Sequence, residues 1–248
     1  MLKKEFILRL LTSQKISPTV KHLVFRRVDG QAFSFIPGQF ITLHIPTDEK
    51  ILRRSYSIAN RSHQLSEDIE FAASYVPEGA ASDLLFNMQP MDTVRATGPF
   101  GRLVLQDGNP RRYILVATGT GVTPYRTMLS ELAQRFSHCG NFEVVLLFGV
   151  RHPEDLLYRD EFTSFAEKHA WFTFRAYYSR FDQANKTLPY EYTGYVLKAF
   201  PEIKPDPTYD IAYLCGNPNM VDQVFSLLVN QYKFPSERVR REKYISSN

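Results

Sequence analysis

Cysteine is scarce in this chain: two in 248 residues, Cys139 and Cys215. Two thiols cannot complete an iron–sulfur cluster or a cysteine-rich zinc site. A single disulfide stays open, but such low usage suits a reducing compartment, and the cytoplasm is the expected location. The six histidines, His22, His44, His63, His138, His152 and His169, show no metal-ligand spacing, which argues against catalytic zinc. No apolar run approaches the roughly 18 residues of a membrane-spanning helix. The start, Met1–Arg9, is interrupted by Glu5 and reads as a first strand, not a signal peptide. Lys/Arg runs stop at pairs such as Arg111-Arg112 and Arg240-Arg241, and no zinc-finger or RNA-binding motif occurs, so no nucleic-acid partner is expected. There is no serine nucleophile elbow, internal repeat or low-complexity segment.

What remains is an ordinary globular composition, 44% hydrophobic and 23% charged, long enough for one large or two modest domains. A net charge of +4 suits an acidic protein partner or a polyanionic small ligand.

The first hundred residues read as short, alternating, β-branched and aromatic strands over 6–11, 21–26, 39–45, 51–59, 69–76 and 93–97. Turn residues such as Asp29-Gly30, Pro37-Gly38 and Gly98-Pro99 separate them, which predicts a closed or nearly closed antiparallel barrel. One short helix, 79–86, interrupts the series. Asp107-Gly108-Asn109-Pro110 is the expected boundary, giving domains 1–107 and 108–248. Beyond it strands (113–117, 142–148, 171–178, 211–214) alternate with helices (125–136, 151–168, 217–232), the grammar of an α/β parallel sheet. Ligands of such sheets sit at the carboxyl ends of the strands.

Four segments carry candidate chemistry. In Ile51–Ile58, Arg54 and Tyr56 share one strand face and Ser57 takes the other. Taken alone this is either a surface Arg lying on a Tyr, or a site for a planar anionic cofactor. Gly79-Ala80-Ala81-Ser82 opens the short helix, where free backbone N–H groups can meet an anion. Thr118-Gly119-Thr120-Gly121-Val122-Thr123-Pro124 lies between a buried strand and a helix, as a pyrophosphate loop does. Thr123 is the expected cap and Pro124 fits the first turn; a tight structural turn is the other reading. Cys215-Gly216-Asn217-Pro218 occupies the matching place after a later strand, where Cys215 is open to inert packing as well as to function. Arg151 and Ser179-Arg180 follow two further strands, either as solvated loop residues or as ligands of a ribose phosphate.

These motifs, with the terminal Glu242-Lys243-Tyr244, occur in an order and spacing that resemble the ferredoxin/flavodoxin–NADP reductase family, bacterial type, over nearly the whole chain. The resemblance implies a Greek-key FAD-binding barrel followed by an NADP-binding α/β domain. It implies hydride transfer between NADPH and FAD, and single-electron exchange with ferredoxin or flavodoxin by a monomer. It further implies that Arg54 and the 79–82 helix start bind the FAD pyrophosphate, with Ser55 in the same strand. Tyr56 then packs on the flavin, with Ser57 near its N5. Gly119–Pro124 would bind the NADP pyrophosphate, and Arg151, Ser179 and Arg180 the 2′-phosphate. Cys215, beside Gly216, would lie by the nicotinamide. Glu242 would be the carboxylate near the flavin, and Tyr244 the cover of its other face. Two departures are visible: Tyr195 follows Gly194 where close relatives often carry an arginine, and Ile245–Asn248 extends past the aromatic residue. An NAD(P)H:flavin reductase and an electron-transfer subunit of a larger complex are the competing functions.

Overall fold

The computed structural model describes residues 5–61, 66–181 and 188–244. The expectations placed on residues 1–4, His63 and Ile245–Asn248 lie outside that range. The chain forms two compact units. Of the described residues, one unit comprises those through Leu105 together with Thr123–Ala133; the other comprises Gln106–Val122 and those from Gln134 to Tyr244.

The first unit is an antiparallel sheet of β1 (Glu5–Ser17), β2 (Val20–Arg27), β3 (Phe40–Pro46), β4 (Ile51–Ser57), β5 (Asp68–Ser74) and β6 (Thr93–Phe100). The order is β4-β3-β6-β1-β2-β5. Alternation dictates its core: Phe6, Leu8 and Leu10 of β1, Leu23 and Phe25 of β2, Ile41 and Leu43 of β3 and Ile69 and Phe71 of β5 all point inward and are buried. Each such side chain contributes about 1.5–3 kcal/mol of burial free energy. β4 ends at Ser57, two residues before the expected end. There the chain leaves β3 and bridges to β5, Ile58 opposite Phe71, with Ala59 N donating to Glu70 O at 2.7 Å. That bridge joins the two edge strands and closes the barrel. α1 (Ala80–Asn87) follows β5.

The second unit is a parallel sheet of β7 (Arg112–Thr118), β8 (Glu143–Val150), β9 (Phe172–Tyr178), β10 (Glu191–Thr193), β11 (Asp210–Gly216) and β12 (Val239–Lys243). Their order is β10-β9-β8-β7-β11-β12. Its inner strands are apolar on both faces, and Ile114, Val116, Leu147 and Leu214 pack with Met220, Val221 and Val224. β10 and β12 escape sequence reading because they are short edge strands; of β12 only Val239 is buried.

Around this sheet run α2 (Thr123–Cys139), α3 (Arg159–Lys168), α4 (Phe200–Ile203) and α5 (Pro218–Ser226). The helix expected over 151–168 is instead a single 3₁₀ turn, Pro153–Asp155, followed by α3. Tyr158, at φ +55°, holds a left-handed conformation that no helix can pass through. α2 stops where Gly140 turns left-handed. Its start also differs from expectation. Gly119–Val122 is already a 3₁₀ turn and Val122 is helical, so Thr123 lies inside α2 and does not cap it.

The first half of α2 is fastened to the barrel closure. Thr127 Oγ1 donates to Ile58 O at 2.8 Å, and Arg126, only 5% exposed, donates to Ala59 O and to Glu70 Oε2, the latter at 2.9 Å. His22 Nε2 stands 3.2 Å from the same carboxylate oxygen. Burial pushes the Glu70 carboxyl up, but the hydrogen bonds from His22 and Arg126 outweigh it and hold the group below its ordinary 4.5. A depressed carboxylate contributes stability above its unfolded pKa and loses it as pH falls through the folded one. Glu70→Gln should therefore lower the unfolding free energy by about 1–3 kcal/mol at neutral pH. Its deficit against the parent should shrink below roughly pH 4. Denaturant titrations across pH check this; a deficit that stays constant into acid contradicts the assignment.

Candidate functional site

In the second unit the chain winds outward from β7 through β8, β9 and β10, then returns to lay β11 on the other side of β7. The strand order thus reverses between β7 and β11, and ligands of parallel sheets sit at the carboxyl ends beside such a reversal. The Gly119 and Cys215 segments are the two loops leaving those ends, and they interlock. A Cβ on Gly121 would collide with the carbonyl of Cys215. A Cβ on Gly216, whose φ is +126°, would stand 2.5 Å from Thr118 Oγ1. Thr118 Oγ1 itself accepts from Asn217 N at 2.9 Å. Gly119, at φ +53°, is different: nothing lies within 4 Å of the position a Cβ would take, so this backbone faces open space. Thr120 is half-buried beside it and Pro124 is buried in the first turn of α2. Close backbone packing on one side and open backbone on the other fit the demands of a pyrophosphate. The side chain of Thr118 is a latch between the loops.

β12 brings the terminal motif to the carboxyl end of β11. Glu242 pairs in register with Cys215, and Tyr244 N donates to Gly216 O at 2.8 Å. Cys215 is completely buried. Burial drives its thiol well above the ordinary range, the Glu242 carboxylate pushes the same way, and a side-chain hydrogen bond with Tyr244 only partly opposes them. Cys215 is therefore neutral at neutral pH and not a thiolate nucleophile. Glu242 and Tyr244 are half-buried, and Lys243 between them is tied to Asp222 at 2.7 Å.

Farther along the same edge, pairing continues past the strand ends. Ser179 N donates to Val150 O at 3.0 Å and Arg180 N to Arg151 O at 2.9 Å. Arg151, Ser179 and Arg180, far apart in sequence, are thereby neighbours, and both arginines are exposed.

The first unit holds the other candidates. On β4, Arg54 and Tyr56 share a face, as the alternation requires, and Arg54 Nη1 donates to Arg53 O at 3.1 Å. Tyr56 stacks on Phe71, with ring centroids 4.8 Å apart. Burial raises its phenol to about 12, with Arg54 pulling slightly down, so the ring is neutral. Ser55 is exposed, its hydroxyl 3.1 Å from Thr42 Oγ1, and Ser57 is buried in register with Phe40. At α1, Gly79 is the cap, and the first helical bond runs from Asp83 N to Gly79 O at 2.9 Å. The N–H groups of Ala80, Ala81 and Ser82 are thus left without acceptors in the helix. The Ser82 hydroxyl turns away from them, toward Val76 O at 2.7 Å and Gly79 O at 2.9 Å. An edge strand bearing a cation beside an aromatic ring, with a helix start offering donors, fits a flavin dinucleotide.

Sequence reading passed over Asn217, whose side chain caps α5 by accepting from Asn219 N and Met220 N. Its position before Pro218 was the available signal. Arg126 carried no signal, because an arginine inside a helix reads as solvated until its partner is known.

Family models for an oxidoreductase FAD-binding domain and an oxidoreductase NAD-binding domain match residues 7–105 and 115–225. Ferredoxin–NADP reductase B of Sorangium cellulosum is 34% identical over 96% of this chain and 97% of its own length. The chain belongs to the ferredoxin–NADP reductase family. It is a flavoprotein oxidoreductase, and FAD and NADP(H), the cofactors expected from its motifs, are those of the family. The reductase component of propane 2-monooxygenase from Rhodococcus jostii is 30% identical, but this chain spans only 62% of that protein. The same fold recurs in a ferredoxin–NADP⁺ reductase from Neisseria gonorrhoeae with bound FAD and NADP. That structure has a TM-score of 0.80 and 21% identity over 97% of this chain and 98% of the other. An Amycolatopsis cytochrome P450 reductase gives a TM-score of 0.81 and 28% identity over 97% of this chain and 69% of its own. Among the described residues no helix is long and apolar enough to cross a membrane.

Gly216 joins a positive φ of +126° to a close approach to Thr118, so it tolerates no side chain without strain. Gly216→Ala should destabilise the protein by about 1–3 kcal/mol through backbone strain and loss of the Thr118 latch. It should also raise the Michaelis constant for the nicotinamide cofactor, as read by thermal unfolding and steady-state kinetics. A variant with unchanged stability would mean the loops do not depend on this contact.

Proposed function

We propose that the protein transfers electrons between NADPH and a one-electron carrier protein, ferredoxin or flavodoxin, as a ferredoxin/flavodoxin–NADP reductase. One observation carries this reading: Cys215, Glu242 and Tyr244 meet at the carboxyl end of β11, next to β7, from whose end the Gly119 loop leaves with open backbone. A neutral thiol, a carboxylate and an aromatic ring beside a dinucleotide loop suit a nicotinamide brought to a flavin. In this reading residues 1–107 form the FAD domain and 108–248 the NADP domain, and the protein works as a monomer in the cytoplasm.

Bound FAD supplies the conversion between a hydride pair and single electrons. The chain supplies position and polarity. Arg54 and the N–H groups of Ala80, Ala81 and Ser82 neutralise the FAD pyrophosphate, with Ser55 beside them, and Tyr56 packs on the ring. Ser57 offers a hydroxyl near the flavin N5. Thr118–Gly121 and the start of α2 at Pro124 cradle the NADP pyrophosphate. Arg151, Ser179 and Arg180 hold the 2′-phosphate. Cys215 and Gly216 would lie by the nicotinamide, with the Glu242 carboxylate and the Tyr244 ring beside it. The net charge of +4 favours an acidic carrier.

A second reading has one observation in its favour. Reductase components of propane 2-monooxygenase and toluate 1,2-dioxygenase are 30% identical, though the chain spans only 62% and 59% of them. An oxygenase system is then the electron acceptor; the two cysteines of this sequence cannot by themselves complete an iron–sulfur cluster.

Arg180→Ala should raise the Michaelis constant for NADPH about ten- to a hundredfold, the loss of a charged hydrogen bond worth about 1.5–3 kcal/mol. That for NADH should hardly change; an equal rise for both removes Arg180 from the 2′-phosphate site. For the carrier, cytochrome c reduction by NADPH should depend on added ferredoxin or flavodoxin. Turnover with free flavin and with neither carrier protein would reverse the assignment.

A further inference from the structure

The carboxyl edge of the parallel sheet carries one more cation that the motifs did not single out. The ladder runs on past β9 through a third bond, Gly194 N to Tyr178 O at 2.8 Å, which ties the end of β10 to the Ser179-Arg180 segment. Gly194 then turns the chain, at φ +100°, into a 3₁₀ turn over Val196–Ala199. That turn is closed by Lys198 N donating to Tyr195 O at 3.0 Å. It is also seated: Val196 Cγ1 lies 3.0 Å from the place a Cβ on Gly149 would take, at the end of β8. From this turn the Lys198 side chain doubles back over Gly194, its Cε and Nζ each 2.7 Å from where a Cβ on Gly194 would stand. The ammonium is therefore held beside the ends of β9 and β10, on the edge that bears Arg151 and Arg180. Among the described residues none of the three forms an ion pair, although carboxylates engage cations elsewhere on the sheet, as Glu202 does Arg175 and Asp222 does Lys243. Like charges gathered on one edge without a counter-ion repel each other, and a bound polyanion relieves that repulsion.

We infer that Lys198 is a specificity-determining residue, completing with Arg151 and Arg180 the site for the 2′-phosphate that distinguishes NADPH from NADH. The inference rests on the proposed dinucleotide site. An ammonium serves as a point charge to phosphate oxygens where the arginines offer planar forks, so the three are complementary. Because the turn that carries Lys198 is anchored on β8 and β10, its charge is placed before the nucleotide arrives.

The test is calorimetric titration of the FAD-loaded full chain with adenosine 2′,5′-bisphosphate and with AMP, alongside Michaelis constants for NADPH and NADH. Lys198→Ala should weaken the bisphosphate about tenfold, a single charged contact, and leave AMP and NADH unchanged. Lys198→Arg should restore most of the loss, and the dependence of bisphosphate affinity on salt should become shallower in the alanine variant. If Lys198→Ala leaves bisphosphate affinity intact while Arg180→Ala lowers it, the role of Lys198 is overturned and the site stands. If neither substitution separates the bisphosphate from AMP, the 2′-phosphate site on this edge is overturned as well.

Discussion

The reversal of strand order between β7 and β11 is the constraint from which the rest of the second unit follows. Two loops must leave adjacent carboxyl ends, and they fit only because Gly121 and Gly216 let backbone meet backbone. Once they interlock, Thr118 can take the Asn217 N–H, Asn217 can cap α5, and β12 can add in register beside β11. The meeting of Cys215, Glu242 and Tyr244 is a product of that register. No long-range attraction between these side chains is needed to bring them together.

The electrostatics follow the same economy of charge. Burial raises the thiol of Cys215 and the phenol of Tyr56 still further above neutral pH, so both keep their protons well into the alkaline range. In the proposed reading the charges that meet phosphates are on Arg54, which is half-buried, and on Arg151, Arg180 and Lys198, which are exposed. The cluster of His22, Glu70 and Arg126 serves the barrel closure and α2.

Most of this was legible in the sequence where a local rule has a local cause. Alternation exposed the barrel strands, continuous apolar runs exposed β7 and β8, and glycines beside strand ends exposed both loops. The resemblance then ordered the site residues. What stayed hidden depends on partners distant in the chain. β12 is polar because it is an edge, and Tyr158 splits the helix expected over 151–168 through a backbone conformation that no residue type announces. Arg126 becomes interpretable only when Glu70, 56 positions earlier, is beside it. Lys198 is an unremarked surface lysine until the turn at Gly194 folds its side chain over the sheet edge.

α2 carries a consequence for anyone wishing to divide the molecule. Its first eleven residues, Thr123–Ala133, count with the barrel, while the strand that leads into it counts with the parallel sheet. No single cut in the backbone can therefore release the barrel whole. A fragment ending near Asp107 would leave the carbonyls of Ile58 and Ala59 and the Glu70 carboxylate without Arg126 and Thr127. The two units are separate in architecture but interwoven in sequence, so a recombinant barrel would require a grafted helix or a permuted chain.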